Sequence, residues 1–154
     1  MHKPKIHNIG IKDCVFGENI KIVSPVNLYG ALFEENVFIG PFVEIQKNVK
    51  IGKYSKVQSH TFICENVSIG NYCFIGHGVC FINDKFIEGK PAQGNKELWG
   101  DILIGNNVSI GSNATILPSV VCDDVVIGAG SVVTKDITEP GVYAGNPARK
   151  IRGM

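Results

Sequence analysis

The chain has 154 residues, with 15 Lys and Arg against 14 Asp and Glu and a net charge of +1. That length fits one domain, residues 1–154, and the near-neutral charge argues against a surface built for nucleic acid or another polyanion. The first residues, MHKPKIHN, hold no apolar signal region, and no stretch approaches the ~20 apolar residues of a membrane span, so a cytoplasmic protein without a membrane partner is expected.

From Phe16 onward an apolar residue returns at every sixth position. Phe16, Ile22 and Leu28 keep the interval, and Phe33 follows one residue early. Ile39, Ile45, Ile51, Val57, Ile63, Ile69, Ile75 and Phe81 then form an unbroken run. The beat resumes at Ile104, Ile110 and Ile116 and, one residue short of two intervals, at Ile127 and Val133. Helices repeat at 3.6 residues and half-buried strands at two, so neither marks one position in six. A fixed short period signals stacked repeats, here a parallel β-helix. The fifth position is also small or β-branched, as at Val37, Val43, Ser55, Thr61, Cys73 and Val79. Glycine often takes the second, as at Gly40, Gly52, Gly70, Gly76 and Gly105, where its freedom of backbone angle suits a nearby bend. Three intervals close one triangular coil, so residues eighteen apart are expected to stack about 4.8 Å from each other. Both slips are expected to fall at corners. The five cysteines sit at irregular spacings without a CxxC, so reduced, mostly buried thiols are expected rather than a metal site.

The rungs stop at Phe81 and restart near Ile102. Between them lies a polar loop, about 83–101, extruded from a rigid stack; long insertions of this kind are usually functional or disordered. It carries the lone tryptophan, Trp99, which suits stacking on a ring-shaped substrate or packing against a neighbouring subunit; packing is the expectation.

His60 is fourth in the interval that starts at Val57, and His77 is third in the one that starts at Ile75. Stacking by eighteen places His60 beneath Gly78 and diagonally beneath His77, at a corner expected to lie a few ångströms from the loop root. Backbone N–H groups from Gly76 to Gly78 are candidates for holding an oxyanion there. The chain closes on GNPARKIR, where Arg149, Lys150 and Arg152 cluster just past the last repeat.

Residues 14 to 137 resemble the hexapeptide-repeat proteins, which implies an all-β, single-domain left-handed parallel β-helix. The run GNPARKIR, with the preceding SVVTKD, is similar to the stretch that adjoins the adenine end of coenzyme A in hexapeptide acyltransferases. The resemblance implies acetyl-CoA as co-substrate. Lys135, Asn146, Pro147, Arg149, Lys150 and Arg152 would lie at its phosphates and adenine, and main-chain groups at Gly111, Ala114, Ala129 and Gly130 along its pantetheine arm. Arginine suits phosphate through its bidentate geometry.

The runs PFVEIQKNVKIG and QSHTFICENVSIGNYCFIGHGVCFINDKF resemble a narrower group, N-acetyltransferases of nucleotide-linked 3-amino sugars of the dTDP-3-amino-3,6-dideoxyhexose or UDP-3-amino-glucuronate type. That likeness implies Asn83, in FIND, at the acyl-transfer site; His60, from its place at the histidine corner, is the best candidate for proton acceptance or a hydrogen bond to the sugar. The likeness also implies a role in surface glycan synthesis, with His77, Asp84 and Trp99 as candidate substrate contacts; the three-sided coil, with an extruded loop too polar to form a pocket alone, leads to the expectation of a homotrimer. Where maltose- and galactoside-type O-acetyltransferases carry a THP-like segment with a catalytic histidine, this chain has Lys85, Phe86 and Ile87. A hydroxyl nucleophile needs a positioned base, typically worth ~100 to 10,000-fold, whereas an amine with a pKa near 8, as for an α-amino group, is partly neutral at pH 7. The departure therefore favours an amine acceptor. An O-acetyltransferase of a small hydroxyl compound and a non-catalytic scaffold are the alternatives. The γ-class carbonic anhydrases share the repeat but bind zinc through three histidines, two of them five residues apart. That set is missing here, so no metal is expected.

Overall fold

The computed structural model describes residues 3–5, 7 and 10–154. Strands of two to four residues follow one another around three parallel sheets. The first sheet has seven strands, from Ile11–Lys12 through Phe62–Ile63 and Cys80–Phe81 to Val132–Val133. The second has six, from Val15–Phe16 to Ser119–Val121, and the third has eight, from Lys21–Ile22 to Arg149–Arg152. Each strand but the last pairs parallel with the strand one coil away, as in Ile45 with Ile63 and Ile63 with Phe81. The result is a parallel β-helix.

The apolar beat is the core. Ile39, Ile45, Ile51, Val57, Ile63, Ile75, Phe81, Ile110 and Ile116 are fully buried along the axis. At about 1.5–3 kcal/mol for each large apolar side chain withdrawn from water, this column is the main source of stability. The fifth positions also point inward. Those that are polar are bonded there: Ser55 donates to the Gly70 carbonyl (2.8 Å) and Thr61 to that of Gly76 (2.9 Å).

Both slips fall at one corner. Leu28 and Phe33 stand on the first and second sheets, as do Ile116 and Val121, so the turn between these sheets is one residue short in each case. Registers there are 17 residues, as in Leu28 with Ile45, against 18 where the turns are full, as in Ile45 with Ile63. The extruded loop leaves from the same corner, between Cys80–Phe81 and Ile102–Ile104. One edge of the prism therefore absorbs all these variations in length.

The glycines serve a different purpose from the one expected. The left-handed backbone belongs to the fourth position, at Asn36, Phe42, Asn48, Tyr54, His60, Asn66 and Tyr72 among others, with φ near 60° (58° at Asn36, 63° at His60). The second-position glycines sit instead where coils nearly touch. A Cβ on Gly40 would lie 2.8 Å from the backbone N of Ser59 in the next coil. Gly40→Ala is therefore expected to cost about 1–3 kcal/mol by overpacking, seen as a lowered melting temperature. Gly153→Ala, in open space, should change nothing.

A polar ladder ties the second-to-third corner. The N–H groups of Lys53, Asn71 and Asn106 donate in turn to the side chains of Asn71 (2.8 Å), Asn106 (2.8 Å) and Asp123 (2.7 Å). The Asn106 amides hold the Asp123 carboxyl below its usual range.

The basic C-terminus is part of the fold rather than a tail beyond it. Gly141–Ala144 pairs parallel with Val125–Ile127, and Arg149–Arg152 returns antiparallel on its outer edge. The turn between them caps the first sheet, with Val132 donating to the Gly145 carbonyl (2.9 Å) and Ala148 to that of Val132 (2.8 Å). A strand edge needs backbone partners whether or not its side chains join the core.

Candidate functional site

The predicted residues occupy three places. The histidines stand at the corner between the third and first sheets, because Val57 pairs with Ile75 and the next residues turn together. His60 is an exposed left-handed corner residue whose ring stacks on Phe42 (centroids 4.8 Å apart). His77 is exposed, and its Nδ1 shares a hydrogen bond with Ser59 Oγ (2.9 Å), which leaves Nε2 facing outward from that contact. Ser59 was missed in the sequence, although it lies eighteen residues before His77 and stacking by eighteen was the rule.

Two expectations change here. Gly76 and Gly78 do not offer free N–H groups: they donate to the carbonyls of Ile110 (2.8 Å) and Ser59 (3.0 Å), because coil stacking consumes them. The histidine corner is also not beside the loop root. Gly78 precedes the Cys80–Phe81 strand and Asn83 follows it, so a step of five residues, up to about 17 Å at about 3.3 Å per residue, separates them across the sheet.

The second place is the loop root. Asn83 is 9% exposed, and its Nδ2 donates to the Glu65 carbonyl one coil below (3.1 Å). Asp84 turns inward to its own loop: its carboxylate accepts from the N–H groups of Phe86 (2.9 Å) and Ala92 (2.8 Å). Trp99 bridges back to Asp84 as an antiparallel pair, and Lys96 Nζ lies 5.5 Å from its ring centroid. Trp99 therefore packs within the loop in the single chain. Lys96 is held above the usual lysine range by its hydrogen bond to Glu65. Glu65, Lys47 and Lys96 carried no motif to mark them.

The third place is the C-terminal end. Lys135, Arg149 and Lys150 line one cleft of about 300 Å³ with Thr134, Asp136 and Tyr143. Lys150 pairs with Glu139 (2.8 Å), whereas among the described residues the guanidinium groups of Arg149 and Arg152 donate to the neighbouring carbonyls of Ala148 and Gly153 and form no ion pair. Asn146 and Pro147 are exposed on the hairpin turn. Along the corner that also carries the histidines, the N–H groups of Gly111, Ala114 and Gly130 already donate to Ile127 (2.7 Å), Gly111 (3.3 Å) and Ser112 (2.9 Å). Ala129 is exposed there and enters no hydrogen bond among the described residues.

Thiol chemistry has no support. All five cysteines are free, and burial pushes Cys64 up to about 12 and raises Cys73, Cys80 and Cys122. Among the described residues no group of three or more His, Cys, Asp or Glu gathers as a metal would need, and no helix is long and apolar enough to cross a membrane.

Residues 30–65 and 101–135 match the bacterial transferase hexapeptide (six repeats) family. A chloramphenicol acetyltransferase of Agrobacterium fabrum is 34% identical over an alignment that takes in 53% of this chain and 49% of that protein. The chain thus spans about half the length of the curated relatives it matches. AntD, an N-acyltransferase from Bacillus cereus solved with dTDP and coenzyme A, superposes with a TM-score of 0.78 over 94% of this chain and 84% of its own. At 22% identity, that likeness is one of fold. A galactoside acetyltransferase solved with coenzyme A is 32% identical, with a TM-score of 0.68, over 80% of this chain and 64% of its own. In repeat sequence and in coil alike, the chain is similar to the hexapeptide-repeat transferases.

Proposed function

We propose that the protein is an acetyl-CoA-dependent N-acetyltransferase acting on the 3-amino group of a nucleotide-linked amino-deoxy sugar, best a dTDP-3-amino-3,6-dideoxyhexose, in the making of a surface glycan. The observation that carries the amine reading is the loop root. A buried asparagine, Asn83, stands there, and the loop that follows it holds no histidine. The cationic cleft at the C-terminal hairpin supports coenzyme A, as does the 32%-identical relative solved with that ligand.

In the reaction the acceptor nitrogen attacks the thioester carbonyl. A C–N bond forms, the C–S bond breaks, and coenzyme A leaves as a thiol once the nitrogen has given up a proton. Asn83 orients the amine or the thioester. His60 or the Ser59-held His77 takes the proton. Orientation supplies much of the rate for a nucleophile already partly neutral. The cations at Arg149, Lys150 and Arg152 hold the phosphates, with Lys135, Asn146 and Pro147 beside them. The pantetheine arm follows the corner at Gly111, Ala114, Ala129 and Gly130, where carbonyls and the Ala129 N–H are the groups left to meet its amides.

The histidine corner and the loop root lie at opposite edges of one sheet, so a complete site calls for a second chain. We place it in a cytoplasmic homotrimer about an axis parallel to the coil, where one chain's loop covers a neighbour's corner. Exposed Phe42 beside His60 and exposed Phe74 are apolar surface that such contact would bury. Light scattering is expected to give three chains per particle, and a monomer with full activity would sink the shared site.

A second reading has one observation in its favour. The Ser59–His77 pair is a positioned imidazole of the kind a hydroxyl acceptor needs, which suits an O-acetyltransferase. A screen of amino and hydroxyl acceptors with acetyl-CoA, followed by thiol release, separates the two. The expected result is turnover of nucleotide-linked amino sugars and none of galactosides or chloramphenicol. Faster acetylation of a hydroxyl acceptor would reverse the assignment, and failure to bind coenzyme A would point to a non-catalytic scaffold.

A further inference from the structure

Glu65 is the one charged side chain buried among the described residues, at 9% exposed, and the proposed reaction does not use it. A buried carboxylate persists only when it is paired and hydrogen-bonded. Glu65 sits in the turn one coil below Asn83, at the corner from which the loop leaves. Its carbonyl accepts from Asn83 Nδ2 (3.1 Å). Its carboxylate takes Lys96 Nζ of the loop at 2.6 Å and Lys47 Nζ of the coil beneath at 3.6 Å. Lys96 in turn covers the Trp99 ring, and Trp99 pairs with Asp84. The Gly100 N–H closes on the Asn83 carbonyl (2.9 Å). One residue therefore grips the outgoing limb of the loop through its main chain and the returning limb through its charge.

The loop has internal support of its own. Asp84 bonds two of its N–H groups, Ala92 is buried within it, and Asn95 caps the short turn Lys96–Leu98. These ties give it shape without fixing it to the coil. The core needs nothing from the Glu65 carboxylate, since Ile63 and Val67 on either side are fully buried by apolar packing.

We propose that Glu65 is a positioning residue: it fixes the pose of the 83–101 loop, and with it Asn83, over the coil, and so sets which acceptor the site takes. This rests on the N-acetyltransferase reading only for the acceptor. The latch itself is independent of it. Lys47, held more loosely and half exposed, is the secondary partner, and Lys96 is the primary one.

Hydrogen exchange on the full-length protein tests the latch without any substrate. Glu65→Gln keeps the size of the side chain and removes its charge, and Lys96→Met removes the partner from an exposed site. Each is expected to speed amide exchange in peptides spanning 83–101 at least tenfold, while peptides spanning 102–133 exchange as in the parent. Glu65→Asp, which keeps the charge, should recover much of the protection. Unchanged loop exchange in both variants overturns the proposal. Loop and coil exchange rising together also overturns it, since Glu65 would then be a general stabiliser. If Glu65→Gln does not fold, Lys96→Met decides. With an active acceptor in hand, Glu65→Gln should raise the acceptor KM tenfold or more and leave the acetyl-CoA KM within about twofold; equal changes in both would refute the specificity role. If no amine is acetylated, the function reading fails and the exchange result alone judges the latch.

Discussion

Replacing Asn83 with alanine is expected to lower turnover about 100-fold while leaving coenzyme A affinity within about twofold, since loss of one positioned polar group at a reacting centre typically costs ~10²–10³. Asn83 stands two coils before the Val133–Ile137 wall of the cationic cleft, since Phe81 pairs with Ile116 and Ile116 with Val133, and its side chain is bonded away from that wall, to Glu65, so the donor's phosphate contacts should change little. The substitution also leaves the Glu65 carbonyl without its donor, at a cost of about 1–3 kcal/mol for a buried unsatisfied group. Melting curves must therefore accompany the kinetics. A loss of rate with a folded protein and an intact donor KM supports the assignment. His60→Ala and His77→Ala tell which histidine takes the proton. Near-normal rates in the asparagine variant and both histidine variants would remove these residues from the active site.

Changing Arg149, Lys150 and Arg152 together to alanine is expected to raise the apparent KM for acetyl-CoA tenfold or more, on the order of 1.4 kcal/mol. Hydrogen bonds to charged groups are worth about 1.5–3 kcal/mol, against ~0.2–1 for an exposed ion pair. The three residues do not contribute equally. Lys150 is engaged by Glu139, so the two arginines have charge to spare, and Lys135 remains across the cleft as a residual cation. Arg149→Ala with Arg152→Ala should therefore reproduce most of the effect. The effect should shrink for dephospho-coenzyme A and at high salt, which screens the same charges. An unchanged KM at low salt would make the cluster only a solvated edge. Truncation at residue 147 is a poorer test, because the last strand covers the edge of Gly141–Ala144 and its loss exposes backbone groups.

Much of the coil was legible because its cause is local and periodic. An inward side chain every sixth residue, glycine in the second place and a small residue in the fifth describe a rung without reference to the rest of the chain. The purpose of the glycines was misread for the same reason. Their neighbour lies one coil away, as Ser59 does from Gly40, and no local window contains both. Glu65 and Ser59 escaped notice similarly. Each looks like an ordinary polar corner residue until stacking sets it against Asn83 or His77.

What the amino-acid order determined by itself was the repeat, its core column, the interrupting loop and the basic close of the chain. Burial of one face repays each rung separately, so the pattern must be written into every rung. The tertiary structure alone decided where the short turns fall, that the basic segment is an edge strand, and that the histidine corner and the loop root lie at opposite edges of a sheet. It also decided which N–H groups are left over, since coil stacking consumes those of Gly76 and Gly78. These are properties of how one coil lies on the next. A shift of one residue in a turn moves a side chain to another edge while leaving the apolar beat almost untouched.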